Sequence, residues 1–506
     1  MSTTVSESSA ATFGSREQKI VFLLCLVAAA HTFIFSAAFP FFNNVDEQAH
    51  FDLVTRYSNG DIPRLWDPPH EEALPYLAIF NSPEYLWPPD SFSDGKIPPP
   101  PWTLTASATR LHVLAVEMAW KKVPNHEASQ PPLYYTLAGL WWRLAKAGGL
   151  HDGFLLYWLR FLNVFFLVML VWLGYLAARI VFPENLFLRL GVPALLAFIP
   201  QTAFYSINND VLSPLCFGAT FICLIKFLRA ETPGVRLGTI TGLACAATFL
   251  AKTSNLPLLV VSAVIVTFRI IQLVRTGKWR AVFPSLFSMA ICSILPIGLW
   301  MAWTRHNFGD FTGTAEKIHI LGWTQKPFVE WPQHPIFTPH GFWTFISELM
   351  ASFWRGEFLW HRAPLASPAV DLVYVIFSAV FVGIATISLL PKLTTTSKPQ
   401  RHALWYAYAC FAASTAFLGF LSIIYDFQKC FFPSREHPYF TSGRLMLGAL
   451  IPFLLLYLYG LDRALCPINN KWIRPFVLAV LILFMLISEI TVDWPIFQNP
   501  YNWFHM

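Results

Sequence analysis

The sequence predicts an all-α integral membrane protein with about eleven transmembrane helices, a large outer first loop and interfacial helices. Three observations carry this. Of 506 residues, 55% are hydrophobic and only 13% charged, with a mean hydropathy of +0.49, whereas a soluble chain is about a quarter charged. Uncharged apolar runs recur from residue 20 almost to the C-terminus, each near the ~20 residues that cross ~30 Å of hydrocarbon. The runs are continuous rather than alternating. Lipid admits only helices or closed barrels, so the spans are helices.

Residues 1–19 form a Ser/Thr-rich cytoplasmic tail closed by Arg16 and Lys19. The run 20–42 is longer than a signal-peptide core and further spans follow. It is therefore read as an uncleaved first span, although Ser36-Ala37-Ala38 resembles a weak cleavage site. The first outer loop, 43–154, carries Asp46, Glu47, Asp52, Asp61, Asp67, Glu71, Glu72, Glu84, Asp90 and Asp94, and a rigid polyproline stretch from Pro98 to Pro101. Within it, 131–147 sets Leu133, Leu137, Leu140, Trp141 and Leu144 on one helical stripe that Arg143 and Lys146 interrupt. Pro131 and Pro132 suit a first turn, and Trp141 and Trp142 suit the headgroup level, so an interfacial helix is expected there. Further spans are expected near 155–180, 188–206, 210–229, 236–252, 254–274, 281–303, 368–391, 403–425, 444–461 and 476–492. A second outer loop falls at 304–367 and an outer tail at 493–506, so that 20–492 forms one polytopic membrane domain.

Basic residues orient the spans. One alternate set of connections holds Arg16 and Lys19; Arg179 and Arg189; Lys226, Arg229 and Arg236; Arg275, Lys278 and Arg280; Lys392, Lys398 and Arg401; and Arg463, Lys471 and Arg474. The positive-inside rule makes this set cytoplasmic, so the N-terminus lies inside and the C-terminus on the periplasmic or outer side of a cell inner membrane. The cytoplasmic connections are too short for a catalytic domain, and the long outer loops are where sites are usually carried.

Composition also excludes. The net charge of +6 is spread in small groups between apolar runs, which is not a nucleic-acid footprint. Six of the eight cysteines, Cys25, Cys216, Cys223, Cys245, Cys292 and Cys410, sit within apolar runs, and no CxxC pair suggests zinc or a disulfide framework. A transporter would place charges at the midplane and break its helices in matching repeats. Here ionisable residues gather at the outer ends of spans, which disfavours the main rival reading, a transporter or flippase; the second rival is a non-catalytic partner in envelope polysaccharide assembly.

Three constellations carry chemistry. Asn43-Asn44-Val45-Asp46-Glu47-Gln48-Ala49-His50 follows the first span directly. Asp46 and His50 are four apart and share a helical face, able to hold a substrate hydroxyl or a divalent metal, with Glu47 as a third candidate ligand. The same residues also suit an ordinary helix start with Asn44 or Asp46 as N-cap. Next, His126-Glu127-Ala128-Ser129-Gln130 meets Pro131-Pro132-Leu133-Tyr134-Tyr135; the helix start offers N–H groups to an anion, but taken alone the segment reads as a loop-to-helix junction. Last are outer basic residues: Lys252, Arg305, His306, Arg355, His361, Arg362, Arg435, His437 and Arg444. Arg444 opens a span after Tyr439-Phe440-Thr441-Ser442-Gly443, a position fit for a lipid-linked phosphate or for snorkelling to headgroups. Ser206-Ile207-Asn208-Asn209-Asp210 reads as a tight outer turn that caps the following helix.

Together these patterns resemble the GT-C superfamily of membrane glycosyltransferases, near its protein-mannosyltransferase and aminoarabinose-transferase branches. The chain is closer still to a bacterial family of predicted membrane proteins with a domain of unknown function. It shares Asp46-Glu47 with His50, Gln130-Pro131-Pro132-Leu133-Tyr134-Tyr135, Asn208-Asn209-Asp210, the segment from Ser352-Phe353-Trp354 to Trp360, and Gly443-Arg444. Leu445 stands where a Tyr is common, and Leu447-Gly448-Ala449 lacks a frequent proline. The resemblance implies transfer of a sugar from a polyprenyl-phosphate donor to an acceptor at the non-cytoplasmic face. It implies Asp46, Glu47 and His50 as catalytic residues, with Asp46 the base, Glu47 and His50 orienting the acceptor or binding a divalent metal, and the positive charge for the leaving phosphate coming from Arg444, Lys252 or that metal. Gln130, Tyr134, Asn209, Asp210, Lys252, Arg355 and Arg444 are then the expected substrate-binding residues. A base of that kind must have its pKa raised, as burial would do, or act late, when the hydroxyl proton has become acidic.

Overall fold

A computed structural model describes residues 4–84, 90, 92, 97–361, 363–391, 396–430 and 432–506, with side chains from residue 16 onward. Asp94, Arg362 and Lys392, each assigned to a loop above, lie outside the described residues. The protein is a helical membrane protein with four strands of two residues each among the described residues. Among the described residues nine helices are long and apolar enough to cross a membrane: Arg16–Ala38, Asp152–Val181, Asn209–Arg229, Thr253–Arg275, Trp279–Phe308, Pro368–Ser388, Lys398–Ile424, Gly443–Leu465 and Ile473–Val492. The expected count of eleven is not confirmed. At the other two positions stand shorter apolar helices, Leu186–Ala197 and Val235–Ala251. The first was expected to run to 206. It stops at Ala197 instead, and after Pro200 the chain turns into the 3-10 helix Thr202–Tyr205, whose Ala203 amide donates to the Gln201 side chain.

The span Gly443–Leu465 is buried almost throughout and forms the axis of the bundle. Its helical part, Leu450–Leu465, packs on Pro368–Ser388, Lys398–Ile424 and Leu186–Ala197. The first helix, Thr4–Ala38, packs on Leu162–Val181 and Leu186–Ala197. Val235–Ala251 lies tightly along Trp279–Phe308, because a side chain at Gly238 or Gly242 would strike the Ser285 or Met289 carbonyl. Small residues four apart are how helices approach closely in lipid.

The long loops gather at one end of the bundle. Asn44 bridges to Phe358, and the Leu359 amide donates to the Asn43 carbonyl at 3.1 Å. Thr324–Gln325 pairs antiparallel with Tyr425–Asp426. The C-terminal tail closes onto the first loop, with Asn499 donating to Glu84. The segment expected at the interface is the helix Leu133–Ala147. Leu137, Leu140 and Leu144 are exposed on it, but Trp142 is fully buried and donates to Glu72 at 2.9 Å rather than lying at headgroup level.

Candidate functional site

Asp46 occupies the N-cap position of the helix Glu47–Ser58 with φ +65°, a left-handed conformation uncommon for a residue with a side chain. Its carboxylate makes no capping bond to that helix. It reaches outward, accepting from His126 Nε2 at 3.0 Å on one oxygen and from Arg444 Nη2 at 2.5 Å on the other. A strained backbone that spends a carboxylate on long-range partners is a mark of a functional position.

Arg444 is the hub. Besides Asp46 it donates to Asp210 at 3.0 Å and to Glu357 at 3.2 Å. Asp210 in turn accepts from Lys252. Gly443 places the arginine: its amide donates to Ser352 Oγ at 2.9 Å, and a Cβ there would collide with the Phe353 backbone. Lys252 reaches the cluster because the chain is extended between Val235–Ala251 and the 3-10 turn Thr253–Asn255. The turn at 206–210 is fixed by Asn208, which caps the 3-10 helix Asn209–Leu212 through the Asp210 amide, leaving the Asp210 side chain free for the cations.

Next to Asp46, Glu127 accepts from Lys317 at 2.6 Å and from Gln130 at 2.5 Å. Gln130 also accepts from Asn209 at 3.1 Å, closing the network onto the 206–210 turn. Three cations thus face four carboxylates. Burial opposes ionisation of Asp46, yet Arg444, aided by His126 and Lys317, outweighs it and holds the carboxyl well below its usual range. The first of the two expectations for a base here, a pKa raised by burial, is corrected by that guanidinium. Burial likewise opposes ionisation of Glu127, but Lys317 prevails and holds it at about 2. Glu357 goes the other way: burial raises it in spite of Arg444.

Glu47 stands apart. It is fully buried in an ion pair with Arg160 at 2.8 Å and accepts from the Phe42 and Ile207 amides. A metal at Asp46, Glu47 and His50 is therefore not what the fold assembles. The ligand set it does bring together is Asp46, His126 and Glu127, whose donor atoms lie within 4.8 Å of one another. One nitrogen and two carboxylate oxygens fit a divalent cation, although Lys317 now shares Glu127. His50 is buried with Nδ1 2.7 Å from the Tyr135 hydroxyl, and Nε2 has no partner among the described residues. Burial first of all lowers its pKa to about 4, so it is neutral at pH 7.

Of the expected binding residues, Gln130, Asn209, Asp210, Lys252 and Arg444 meet in one network. Tyr134 is buried behind the 208–209 turn. Arg355 is not in the site, since it pairs with Asp371 at 2.9 Å. Lys317 and Glu357 join it without having been singled out in the sequence, and His126 and Glu127 belong to it rather than to a plain loop junction.

A family model described as a predicted membrane protein, DUF2142, matches residues 30–398. No curated protein matches the chain. Among solved structures, the crystal structure of the apo oligosaccharyltransferase of Archaeoglobus fulgidus is similar at a TM-score of 0.44 and 11% identity, over 94% of this chain and 56% of that one. The chain thus spans little more than half the length of the archaeal protein.

Proposed function

The chain belongs to the DUF2142 family of predicted membrane proteins, and we propose that it is a GT-C type glycosyltransferase that moves a sugar from a polyprenyl-phosphate donor to an acceptor at the non-cytoplasmic face. The observation that carries this is the Asp46–Arg444 pair, a carboxylate and a guanidinium joined at the loop end of the spans. Transfer needs a carboxylate beside the attacking hydroxyl and positive charge beside the leaving phosphate. Donors of this class are amphipathic, and an apolar groove of about 690 Å³, lined by Ile336, Phe345, Phe411 and Thr415, is suited to the prenyl chain. It abuts the segment that carries Arg444, with Thr415 against Met446.

In this reading the acceptor oxygen attacks C1 of the sugar as the bond from C1 to the phosphate oxygen breaks. The transition state is oxocarbenium-like. Asp46 stays ionised and takes the proton late, when the hydroxyl has become acidic. A carboxylate offers about four lone-pair sites, so Asp46 can keep His126 and Arg444 and still accept the acceptor hydroxyl. Arg444 and Lys252 neutralise the departing polyprenyl phosphate. A divalent cation held by Asp46, His126 and Glu127 would supply further positive charge to the site. The test is purified protein with a panel of polyprenyl-phosphate sugars, with and without a chelator, reading released polyprenyl phosphate. Turnover of one donor is expected. Intact donor throughout the panel, in protein shown to be folded and given cell-envelope acceptors, would reject the reading in favour of a non-catalytic partner.

A further inference from the structure

A second charged cavity lies at the other end of the bundle. It has a volume of about 820 Å³ and sits between the helices Ser213–Arg229, Leu256–Arg275 and Lys398–Ile424, within the ~300–1,000 Å³ of ligand sites. The span Asn209–Arg229 starts at the Asp210 cluster and ends at this cavity, so at ~1.5 Å per residue the two are roughly 30 Å apart. Ile225, Ile265 and Phe268 form its apolar walls, and Arg229, Arg269 and Lys398 supply positive charge. No carboxylate lines it among the described residues. Glu231, close by in sequence, is taken by Lys278 at 3.2 Å.

Basic residues at cytoplasmic helix ends are expected from topology alone, and they usually snorkel to water. Arg269 does not fit that description. It stands six residues inside its helix end at Arg275. It donates to the Ala230 carbonyl at 2.9 Å, and among the described residues its Nε is buried without a partner. Arg229 likewise meets only a carbonyl among the described residues, that of Ile180 at 2.6 Å. A buried guanidinium nitrogen without an acceptor is costly, and an anion with several oxygens removes the cost.

We propose that this cavity binds an anionic glycerophospholipid from the leaflet at that end. Its phosphate sits between Arg229, Arg269 and Lys398, and one acyl chain runs along Ile225, Ile265 and Phe268. Basic pockets between spans recognise anionic headgroups in this way. The bound lipid then joins three spans whose cavity would otherwise stand open.

The test is native mass spectrometry of the purified full chain in detergent, titrated separately with phosphatidylglycerol, phosphatidylcholine and inorganic phosphate. Wild-type protein is expected to retain one phosphatidylglycerol and to release phosphatidylcholine. The double variant R229Q/R269Q should bind phosphatidylglycerol about thirtyfold more weakly, the worth of two basic residues near a membrane surface. Lys226→Gln, exposed at the same end but outside the cavity, should bind as wild type does. Ala409→Trp fills the cavity without touching a charge and should also release the lipid, so the test survives if the arginines are needed for folding. Equal retention of the two lipids by wild type, or unchanged phosphatidylglycerol binding in the cavity variants, would overturn the proposal. Displacement of the lipid by an equal concentration of inorganic phosphate would reduce the site to a simple anion site and overturn it as well.

Discussion

Replacing Glu47 with glutamine should cost folding rather than chemistry. One Glu47 oxygen accepts from Arg160 at 2.8 and 3.1 Å and from the Ile207 amide at 2.9 Å; the other accepts from the Phe42 amide at 2.8 Å. Arg160 also donates to the Pro40 carbonyl at 2.9 Å and stacks over Phe41 at 4.2 Å. This one pair ties the end of the first span, the first-loop helix, the helix Asp152–Arg160 and the 206–210 turn. Glutamine keeps the shape but turns one acceptor into a donor among donors and leaves Arg160 charged and buried. Breaking a buried ion pair from one side costs about 3–5 kcal/mol. A denaturant series in detergent should therefore show Glu47→Gln unfolding well before both wild type and Asp46→Asn. Glu47→Gln with Arg160→Met should recover part of the loss, since neither charge remains. Wild-type unfolding of Glu47→Gln together with abolished transfer would refute this, and Glu47 would have to act on substrate.

Asp46→Asn should destabilise far less than Glu47→Gln, because Arg444 keeps Asp210 and Glu357, and should lower transfer about 10²–10⁴-fold, the range for a lost general base; retained activity would move the role to another carboxylate. His50 should contribute to pH-dependent stability: its folded pKa, about 4, lies below the ordinary 6.5, so stability falls as pH drops from 6.5 toward 4, and His50→Asn should flatten that part of the curve. Cysteines placed at 278 and 398 should be shielded from a membrane-impermeant reagent in intact cells while one at 320 is labelled; the reverse pattern would invert the topology.

Hydropathy made most spans legible because length and continuity in lipid are composition-driven constraints. It overran at 188–206, where Pro200 and Gln201 redirect an apolar stretch that hydropathy alone reads as helix. The residues at the edges of apolar runs, Asp46, Lys252 and Arg444, were legible for a positional reason, since a charge there has little solvent to turn to, whereas Asp210 read only as part of a capping turn and entered through the family resemblance. Glu357 and Lys317 were not, because a loop charge acquires its partner only when distant loops pack. The same non-locality hid Glu489. It is a single acid in an apolar run, and its partner His31, 2.8 Å away, lies 458 residues earlier in the chain. Arg355 misled for the opposite reason, since its pair Asp371 is only sixteen residues on.

The charge balance of the cluster carries one more consequence. Arg444 engages Asp46, Asp210 and Glu357 at once, one nitrogen to each, so two of its five N–H groups remain but three carboxylate charges crowd the guanidinium that a donor phosphate must approach. For the phosphate to be held, one carboxylate must yield. Asp210 is fixed by Lys252 as well, and in the proposed reaction Asp46 serves the acceptor. Glu357 makes the longest of the three contacts, 3.2 Å, and besides Arg444 only the Ser442 side chain favours its charge by hydrogen bonding. Burial also raises its pKa, so protonation as pH falls frees a guanidinium nitrogen with little loss. Glu357→Gln fixes that neutral state. It should bind donor at least as tightly as wild type and should lose whatever tightening wild type shows on mild acidification. Arg444→Gln should weaken donor binding at every pH by about 1.5–3 kcal/mol, the worth of a hydrogen bond to a charged group. The two variants are compared by donor KM across pH. A Glu357→Gln enzyme whose KM rises as far as that of Arg444→Gln would show that Glu357 holds the arginine in place for the phosphate rather than competing with it.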